Sequence, residues 1–126
     1  TKLLLDDLYS PDPFPAWLSD SDLRIYAEAF EKGGFRGPLN RYRAQRIDLE
    51  ELKSLRGLQI KQPACFIAGE RDSVRHFVPG IDLFSAAGNG CDDYRGTTII
   101  GGAGHWVQQE RPSETNEALE RFLSDL

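Results

Sequence analysis

Two short apolar runs in the second half of the chain have the pattern of buried β-strands. Residues 97–100 are four consecutive β-branched residues (TTII), and residues 63–68 form an earlier apolar run. Continuous apolar runs of this length are typical of parallel strands that are covered on both faces. Parallel neighbours require a crossover, which residues 77–87, partly helical and interrupted at Pro79 and Gly80, would provide. The sequence therefore predicts two neighbouring parallel strands.

Helical periodicity dominates the first third of the chain. Ser19 and Asp22 have the spacing of an N-terminal capping pair, and Gly33 and Gly34 would end the helix that follows. Residues 1–8, which are rich in leucine, would be the end of a preceding helix. The apolar residues that define one face of the predicted helix recur at intervals of three and four positions: Leu23, Tyr26, Ala27 and Phe30.

Two further helices are predicted, one before the strands and one after them. Residues 35–39 read as a turn, after which Asn40 would cap a short helix over residues 41–44. Near the C-terminus, Pro112 suits the first turn of a helix. We expect the face that packs this last helix against the sheet to carry Leu119, Phe122 and Leu123.

The order of these elements, helices first and then strand, connection, strand and helix, is typical of the last part of an α/β domain. A helical insertion would precede that part. The 126-residue chain contains no methionine and begins at Thr1, so we expect it to be a piece of a longer protein. Two strands make a poor sheet by themselves, and an exposed sheet edge favours pairing with another chain.

Composition narrows the classes of function. A hydrophobic content of 40% and a charged content of 28% are ordinary for a soluble globular protein. The net charge of −5 argues against nucleic acid or an anionic membrane as the main partner. No apolar run approaches the ~20 residues of a membrane span, and no signal peptide is visible. Cys65 and Cys91 are too few for a disulfide framework, which favours reduced thiols and a cytoplasmic location.

The residues that follow the two predicted strands carry the candidate chemistry. His105 follows the second strand after a glycine-rich loop, and Asp72 follows the first strand in the same way. Because reacting groups of α/β sheets lie outside the carboxyl ends of the strands, we expect these two side chains to lie side by side. Imidazole exchanges protons close to neutral pH, and a carboxylate fixes its tautomer. The sequence therefore predicts the aspartate–histidine pair of a hydrolase triad.

Simpler interpretations of both residues stay open at this point. A histidine can be satisfied by backbone groups, and an aspartate after a strand can serve as a turn or capping residue. Four other carboxylates compete with Asp72 for the acidic role, although none follows a strand end in the same way: Glu70, Asp82, Asp92 and Asp93.

Tyr42 is the third candidate, because a phenol can donate a hydrogen bond or a proton to an oxygen that gains negative charge. By spacing alone, a partly buried aromatic on a short helix is the favoured interpretation. Nearby basic residues are better explained as solvated surface than as an anion site, and His76 as an ordinary surface residue. That basic group consists of Arg36, Arg41, Arg43 and Arg46.

Several established site patterns have no match in the chain. Two histidines and two cysteines at unrelated spacings indicate no metal site, and neither a phosphate loop nor a dinucleotide fingerprint is present. We therefore expect no metal and no cofactor. A Gly-x-Ser-x-Gly elbow is also absent, so the predicted aspartate–histidine pair lacks a recognisable nucleophile.

Four stretches of the chain resemble motifs of the epoxide hydrolases in the α/β-hydrolase superfamily, in the same order and over nearly the whole length. Residues 14–23 (FPAWLSDSDL) resemble the start of a late cap helix, and residues 34–43 (GFRGPLNRYR) resemble the cap motif that carries a proton-donating tyrosine. Residues 69–74 (GERDSV) look like the acid loop, and residues 102–112 (GAGHWVQQERP) like the histidine loop. The tyrosine motif distinguishes epoxide hydrolases from other α/β-hydrolases.

The resemblance implies a fold and a division of the chain. The expected fold class is α/β, the C-terminal part of an α/β-hydrolase fold, with a helical cap segment followed by two parallel strands and flanking helices. Residues 1–58 would be the C-terminal part of the cap, and residues 59–126 the C-terminal part of the core with the acid and histidine loops.

The resemblance also implies a two-step reaction without a cofactor. An aspartate nucleophile opens an epoxide to a covalent ester, and a histidine–acid pair activates the water that hydrolyses the ester to a vicinal diol. By this resemblance, Tyr42 assists the epoxide oxygen, His105 is the water-activating base and Asp72 orients it. Trp106 and Val74, which neighbour these residues, would line the substrate pocket.

The departures from the family pattern limit these expectations. The nucleophile, the oxyanion-hole segment and the first cap tyrosine lie upstream of Thr1 in such proteins, so we expect the chain alone to be inactive. Its partners would be a small epoxide and the N-terminal remainder of the hydrolase. Arg41 stands where relatives commonly have an aromatic residue. A haloacid dehalogenase or a serine esterase of the same fold remains an alternative, as does a non-catalytic fragment that self-associates as a homodimer.

Overall fold

The computed structural model describes residue 6 and residues 10–126, so the helix end predicted over residues 1–8 lies almost entirely outside the described residues. The described residues up to Arg46 form one compact unit and Ile47–Leu126 form a second. The helices are α1 (Asp20–Gly33), α2 (Arg36–Glu51), α3 (Val107–Glu110) and α4 (Pro112–Ser124), and the strands are β1 (Ala64–Gly69) and β2 (Tyr94–Ile100). Short 3₁₀ turns occupy Leu52–Leu55, Ser73–His76 and Leu83–Ala86.

The predicted first helix is confirmed as α1, with the predicted caps. The Ser19 hydroxyl accepts a hydrogen bond from the Asp22 amide (3.2 Å), and the Asp22 carboxylate accepts one from the Ser19 amide (3.1 Å). Hydrogen bonds from the Ser19 side chain and backbone lower the pKa of the Asp22 carboxyl, because they stabilise its charged form. At the other end, Gly34 has a φ of +66° and donates its amide to the Phe30 carbonyl (2.7 Å).

The turn predicted over residues 35–39 is wrong. Helix α2 begins at Arg36 and continues to Glu51, well beyond the predicted short helix. Pro38 lies in its first turn, where backbone amides have no acceptor within the helix, so the missing amide of proline removes no hydrogen bond. Asn40 consequently lies inside the helix rather than at its cap, and its side-chain oxygen accepts a hydrogen bond from Arg43 (3.2 Å).

The two predicted strands are confirmed and they are parallel neighbours. Strand β2 begins earlier than predicted, at Tyr94. After an irregularity near Ala64, the pairing is regular and ends with Gly69 opposite Ile100. Because both strands end at the same level, the loops that follow them leave the sheet at the same edge.

The crossover between the strands is built from 3₁₀ turns. Residues 70–93, all of which are described, contain no α-helix, in contrast to the more common helical crossover. The guanidinium of Arg75 donates two hydrogen bonds to Asp82 (3.0 and 2.6 Å) and lies 5.7 Å from the centre of the Phe84 ring. Phe84 in turn packs edge-on against Phe66 of β1, with 5.0 Å between ring centres. These contacts anchor the crossover to the sheet.

Asp82→Asn is expected to destabilise the fold at neutral pH and to have a smaller effect in acid. The Arg75 guanidinium holds the pKa of the Asp82 carboxyl below its ordinary value. The ion pair therefore stabilises the fold above the pKa of the unfolded carboxyl, about 4, and this stability is lost as the pH falls through the lower folded-state pKa. Both side chains are partly exposed, so we expect a melting temperature only a few degrees lower at pH 7.

Thermal unfolding of the Asp82→Asn variant between pH 2 and pH 7, beside Asp92→Asn as the control, measures this effect. Asp92 is exposed and belongs to the same crossover. A destabilisation by Asp82→Asn that is equally large at pH 3 and pH 7 would show that the ion pair does not cause it.

The face that α4 buries differs from the predicted one. Its buried residues are Thr115 and Ala118, whereas Leu119 and Leu123 are exposed. Thr115 faces inward because its hydroxyl donates to the backbone carbonyls of Val107 (3.0 Å) and Arg111 (2.8 Å), which satisfies its polar atom. Of the predicted set only Phe122 is half-buried. A pattern of apolar residue types alone could not reveal this inward threonine.

The small core of the second unit lies beside the loop that carries His105. Ile100, Ala103 and Val107 are buried together, and Ile67 packs against them. Ala103 has no exposed surface at all, so the loop after β2 is anchored at its middle. Within residues 10–126, no helix has the length and apolar character needed to cross a membrane.

Candidate active site

Asp72 lies in a tight turn immediately after β1. Its amide donates to the Gly69 carbonyl (3.2 Å), and its carboxylate oxygen Oδ1 accepts the Val74 amide (2.9 Å), which caps the 3₁₀ turn Ser73–His76. Only 7% of the residue is exposed. The turn therefore fixes one carboxylate oxygen and leaves the other, Oδ2, available to a second partner.

That second partner is His105. Its Nδ1 lies 2.9 Å from Asp72 Oδ2, so the pairing predicted from the two strand ends is present. An ionised carboxylate only accepts hydrogen bonds, so a neutral imidazole in this contact carries its proton on Nδ1 and its lone pair on Nε2. The imidazole is 54% exposed, and its ring lies edge-on to Trp106 with 5.0 Å between ring centres. The pair thus joins a buried acid to an accessible base.

Backbone hydrogen bonds join the two loops beyond the ends of the strands. The Glu70 amide donates to the Ile100 carbonyl (3.0 Å), and the Arg71 amide donates to the Ala103 carbonyl (2.8 Å). The Glu70 carboxylate accepts the amide of Gly102 (2.9 Å). Backbone hydrogen bonding between the two segments therefore continues beyond the strand ends. These hydrogen bonds set the distance between Asp72 and His105.

Three of the four carboxylates that competed with Asp72 on sequence grounds bind other groups, and the fourth, Asp92, is exposed. Glu70 holds the Gly102 amide, Asp82 binds Arg75, and Asp93 accepts two hydrogen bonds from Arg95 (2.5 and 2.8 Å). That guanidinium lowers the pKa of the Asp93 carboxyl. Asp72 is the acid that contacts the imidazole.

Glu110 is a residue of the site that no sequence pattern indicates. Its two carboxylate oxygens accept the amides of Gly104 (2.7 Å) and Trp106 (3.1 Å), the residues on either side of His105. The structure ends one helical turn, α3, at Glu110 and begins α4 at Pro112. Pro112, two residues after Glu110, is the sequence signal of the break between α3 and α4.

The same segment occurs in epoxide hydrolases. Epoxide hydrolase B of Mycobacterium tuberculosis is 38% identical over 123 residues, which cover 98% of this chain and 34% of that protein. The crystal structure of epoxide hydrolase A from Mycobacterium thermoresistibile matches with a TM-score of 0.81 and 40% identity, covering 93% of this chain and 35% of that one. Potato epoxide hydrolase I matches with a TM-score of 0.83 and 34% identity, covering 94% and 38%. No protein-family model matches the chain.

Over nearly its whole length the chain matches a segment of the epoxide hydrolases of the α/β-hydrolase superfamily. It spans about a third of the length of the curated relatives it matches. Its parallel strands and flanking helices correspond to the C-terminal part of the α/β-hydrolase fold, so the expected fold class and the resemblance are both confirmed.

The other three predicted site residues lie on different elements of the chain. Tyr42 lies on α2 with an exposed side chain, not the partly buried one that spacing favoured. Val74 is half-buried on the 3₁₀ turn after Asp72, and Trp106 is half-exposed against the His105 ring. Among residues 6 and 10–126, no three histidine, cysteine, aspartate or glutamate side chains are arranged to hold a metal ion.

Proposed function

We propose that the hydrolase carrying this segment adds water to a small epoxide and releases a vicinal diol. The observation that supports this proposal is the 2.9 Å contact between His105 Nδ1 and Asp72 Oδ2. It leaves Nε2 of an exposed imidazole as a base that water can reach. Residues 1–58 would belong to the cap and residues 59–126 to the core, where this base operates.

The proposed reaction begins when a carboxylate nucleophile, supplied outside the matched third, attacks an epoxide carbon. The ring carbon–oxygen bond breaks, a carbon–oxygen ester bond forms, and the released oxygen takes a proton from Tyr42. In the second step His105 Nε2 removes a proton from water, and the resulting hydroxide attacks the ester carbonyl carbon. The ester carbonyl–oxygen bond breaks, the departing alkoxide takes the proton of the carboxylic acid that forms, and the diol leaves with the nucleophile again a carboxylate. The proton held by His105 then returns through solvent to the Tyr42 phenolate.

Asp72 has two roles in the proposed second step. It keeps the Nδ1 proton in place, which directs the lone pair of His105 to the water side, and it stabilises the imidazolium that forms. Its low exposure strengthens this interaction, because little water screens the carboxylate. Val74 and Trp106 adjoin the pair and would line the substrate pocket.

The origin of the diol oxygens tests this mechanism. The full-length hydrolase, in excess over an epoxide in ¹⁸O-labelled water, should release unlabelled diol in its first turnover, because water attacks the ester carbonyl and not the substrate carbon. The label should enter the enzyme. Labelled diol in the first turnover would exclude the covalent ester. A 2-haloacid and a carboxylic ester of similar size, assayed in parallel, distinguish a dehalogenase or an esterase.

Tyr42→Phe is expected to slow epoxide opening by roughly 10², the usual size of general-acid assistance. The phenylalanine keeps the ring on α2 but has no proton to donate to the leaving oxygen. Rapid-mixing experiments that follow ester formation and ester hydrolysis separately measure the effect, with hydrolysis expected to stay unchanged. Tyr26→Phe on α1 is the matched control. Equal slowing of both steps would contradict the proposed role of Tyr42.

We also propose a cytoplasmic location and the N-terminal remainder of the hydrolase as the partner of this segment. Both cysteines, Cys65 and Cys91, are free thiols, which is typical of a reducing compartment. The 126-residue chain alone is expected to form no diol, because the proposed nucleophile lies elsewhere in the hydrolase. Diol formation by the purified chain would refute that placement of the nucleophile.

A further inference from the structure

The backbone on both sides of His105 is held by a single carboxylate. Glu110 Oε2 accepts the Gly104 amide at 2.7 Å, and Oε1 accepts the Trp106 amide at 3.1 Å. One oxygen therefore fixes the peptide group between Ala103 and Gly104, and the other fixes the peptide group between His105 and Trp106. Hydrogen bonds from amides to an ionised acceptor are roughly twice as strong as neutral ones.

His105 depends on its backbone for its position. More than half of its side chain is exposed, so packing fixes the ring only weakly. The residues before it include Gly101, Gly102 and Gly104, and glycines add backbone freedom. A shift of the backbone at residue 105 would move Nδ1 away from Asp72 Oδ2. The contact that orients the imidazole therefore requires an independent restraint on the loop.

Glu110 is itself held firmly enough to provide that restraint. Its amide donates to the Trp106 carbonyl (2.9 Å), and its own carbonyl accepts a hydrogen bond from the Arg111 guanidinium (2.8 Å). A side chain at Gly104 would come within 2.9 Å of Glu110 Oε1, so the glycine leaves room for the carboxylate. The absence of a side chain at Gly104 therefore allows the Glu110 carboxylate to approach the loop backbone.

We propose that Glu110 is a positioning residue that holds His105 in hydrogen-bonding register with Asp72. The catalytic consequence rests on the proposed function, since it matters only where His105 activates water. The effect of Glu110 on the hydrogen bond between His105 and Asp72 is independent of the proposed function, because this hydrogen bond sets the tautomer of His105 whether or not the enzyme is turning over.

Glu110→Gln is the sharpest substitution with which to test this role. Glutamine has the same size, but its amide nitrogen is a donor and cannot accept a backbone amide. One of the two hydrogen bonds is therefore lost, and two donors face each other. We expect the fraction of His105 that is protonated on Nδ1 to fall, because the Asp72 contact becomes intermittent. Glu117→Gln on the exposed side of α4 is the matched control.

¹⁵N NMR of the chain labelled at histidine measures this fraction directly. The sequence has two histidines, so His76, which lies in the crossover, serves as an internal reference. The expected result is a change in the ring nitrogen shifts of His105 in Glu110→Gln, with His76 unchanged and no change in Glu117→Gln. Ring shifts at His105 that match those of the unmodified chain would overturn the proposal.

A measurement on the unmodified chain decides the question if Glu110→Gln does not fold. The amide protons of Gly104 and Trp106 donate to the same carboxylate, so both resonances should move on acidification with a common midpoint. Separate midpoints, or no movement, would show that the two amides do not share this acceptor and would contradict the proposal.

Kinetics of the full-length hydrolase separate this inference from the proposed function. We expect Glu110→Gln to slow ester hydrolysis by about 10- to 100-fold, the size expected of a misplaced catalytic group, with epoxide opening unchanged. If the unmodified hydrolase turns over no epoxide, the proposed function fails while the NMR result still tests Glu110. If the unmodified hydrolase turns over the epoxide, and Glu110→Gln hydrolyses the ester as fast as Glu117→Gln does, the proposed role of Glu110 is wrong while the proposed function stands.

Discussion

His105→Gln in the full-length hydrolase is expected to stop the reaction at the covalent ester and to leave epoxide opening nearly unchanged. Glutamine has no nitrogen lone pair that can take a proton from water, so the second step loses its base. General bases contribute about 10²–10⁴ to such steps, and ester hydrolysis should slow by that factor. Opening does not use the imidazole in the proposed mechanism, so the ester should form at its normal rate and accumulate.

Mass spectrometry of the variant, denatured shortly after mixing with an epoxide, measures the accumulation. The protein mass should rise by the mass of one substrate molecule, and the adduct should persist while the unmodified enzyme shows little. His76→Gln is the matched control, since His76 lies outside the candidate site. If the His105→Gln variant neither forms an adduct nor opens the epoxide, the imidazole acts in the first step and the assignment of roles is wrong.

The aspartate–histidine pair could be predicted from the sequence because the topology of a parallel sheet determines most of its geometry. Parallel strands that pair from Phe66 to Gly69 end at one edge, so residues just beyond both ends must lie close together. In the sequence, the C-terminal end of each strand is recognisable as the point where an apolar or β-branched run gives way to a loop. Only a few residues separate each strand end from Asp72 or His105, so a short stretch of loop is enough to bring the two side chains together.

Features that depend on side-chain contacts with the backbone had no comparable signal. The contact of Glu110 with the amides beside His105 requires a helical turn that ends at Glu110, separate from α4. Periodicity cannot resolve a break of a single residue between two helical segments. The same limit explains the buried face of α4, where the inward position of Thr115 follows from carbonyl partners in the preceding turn.

Errors in the helical region have a different cause. Gly37 and Pro38 together are strong turn signals, so the sequence favours a turn at these residues. In the structure they fall in the first turn of α2, the one part of a helix that tolerates both. The pair correctly marks a boundary before α2, but residues 36–39 belong to the helix and not to a turn. Tyr42 lies on a helix in either interpretation.

Gly69→Ala is expected to have the largest effect on stability among the substitutions considered. Gly69 is the buried last residue of β1, and the loop that carries His105 packs directly on it. A Cβ atom there would lie 2.0 Å from the Gly104 carbonyl oxygen and 2.4 Å from that of Ala103. These neighbours are backbone atoms and cannot rotate away, so the loop itself must move. Overpacking of this kind costs about 1–3 kcal/mol and occasionally more.

Gly101→Ala provides the matched control for this prediction. Gly101 lies in the loop after β2, and a Cβ atom added there would have no neighbour within 4 Å. Denaturant unfolding should therefore show a free energy of unfolding that is lower by about 1–3 kcal/mol for Gly69→Ala and nearly unchanged for Gly101→Ala.

Displacement of the loop by Gly69→Ala should also separate His105 from Asp72. The Arg71 amide donates to the Ala103 carbonyl (2.8 Å), and the added methyl group would push this carbonyl away. The ring nitrogen signals of His105 should then change under conditions where the variant is still folded. If Gly69→Ala were as stable as Gly101→Ala and kept the His105 signals, the two loops could not be packed as closely as the structure shows. The spacing of the aspartate–histidine pair would then need another explanation.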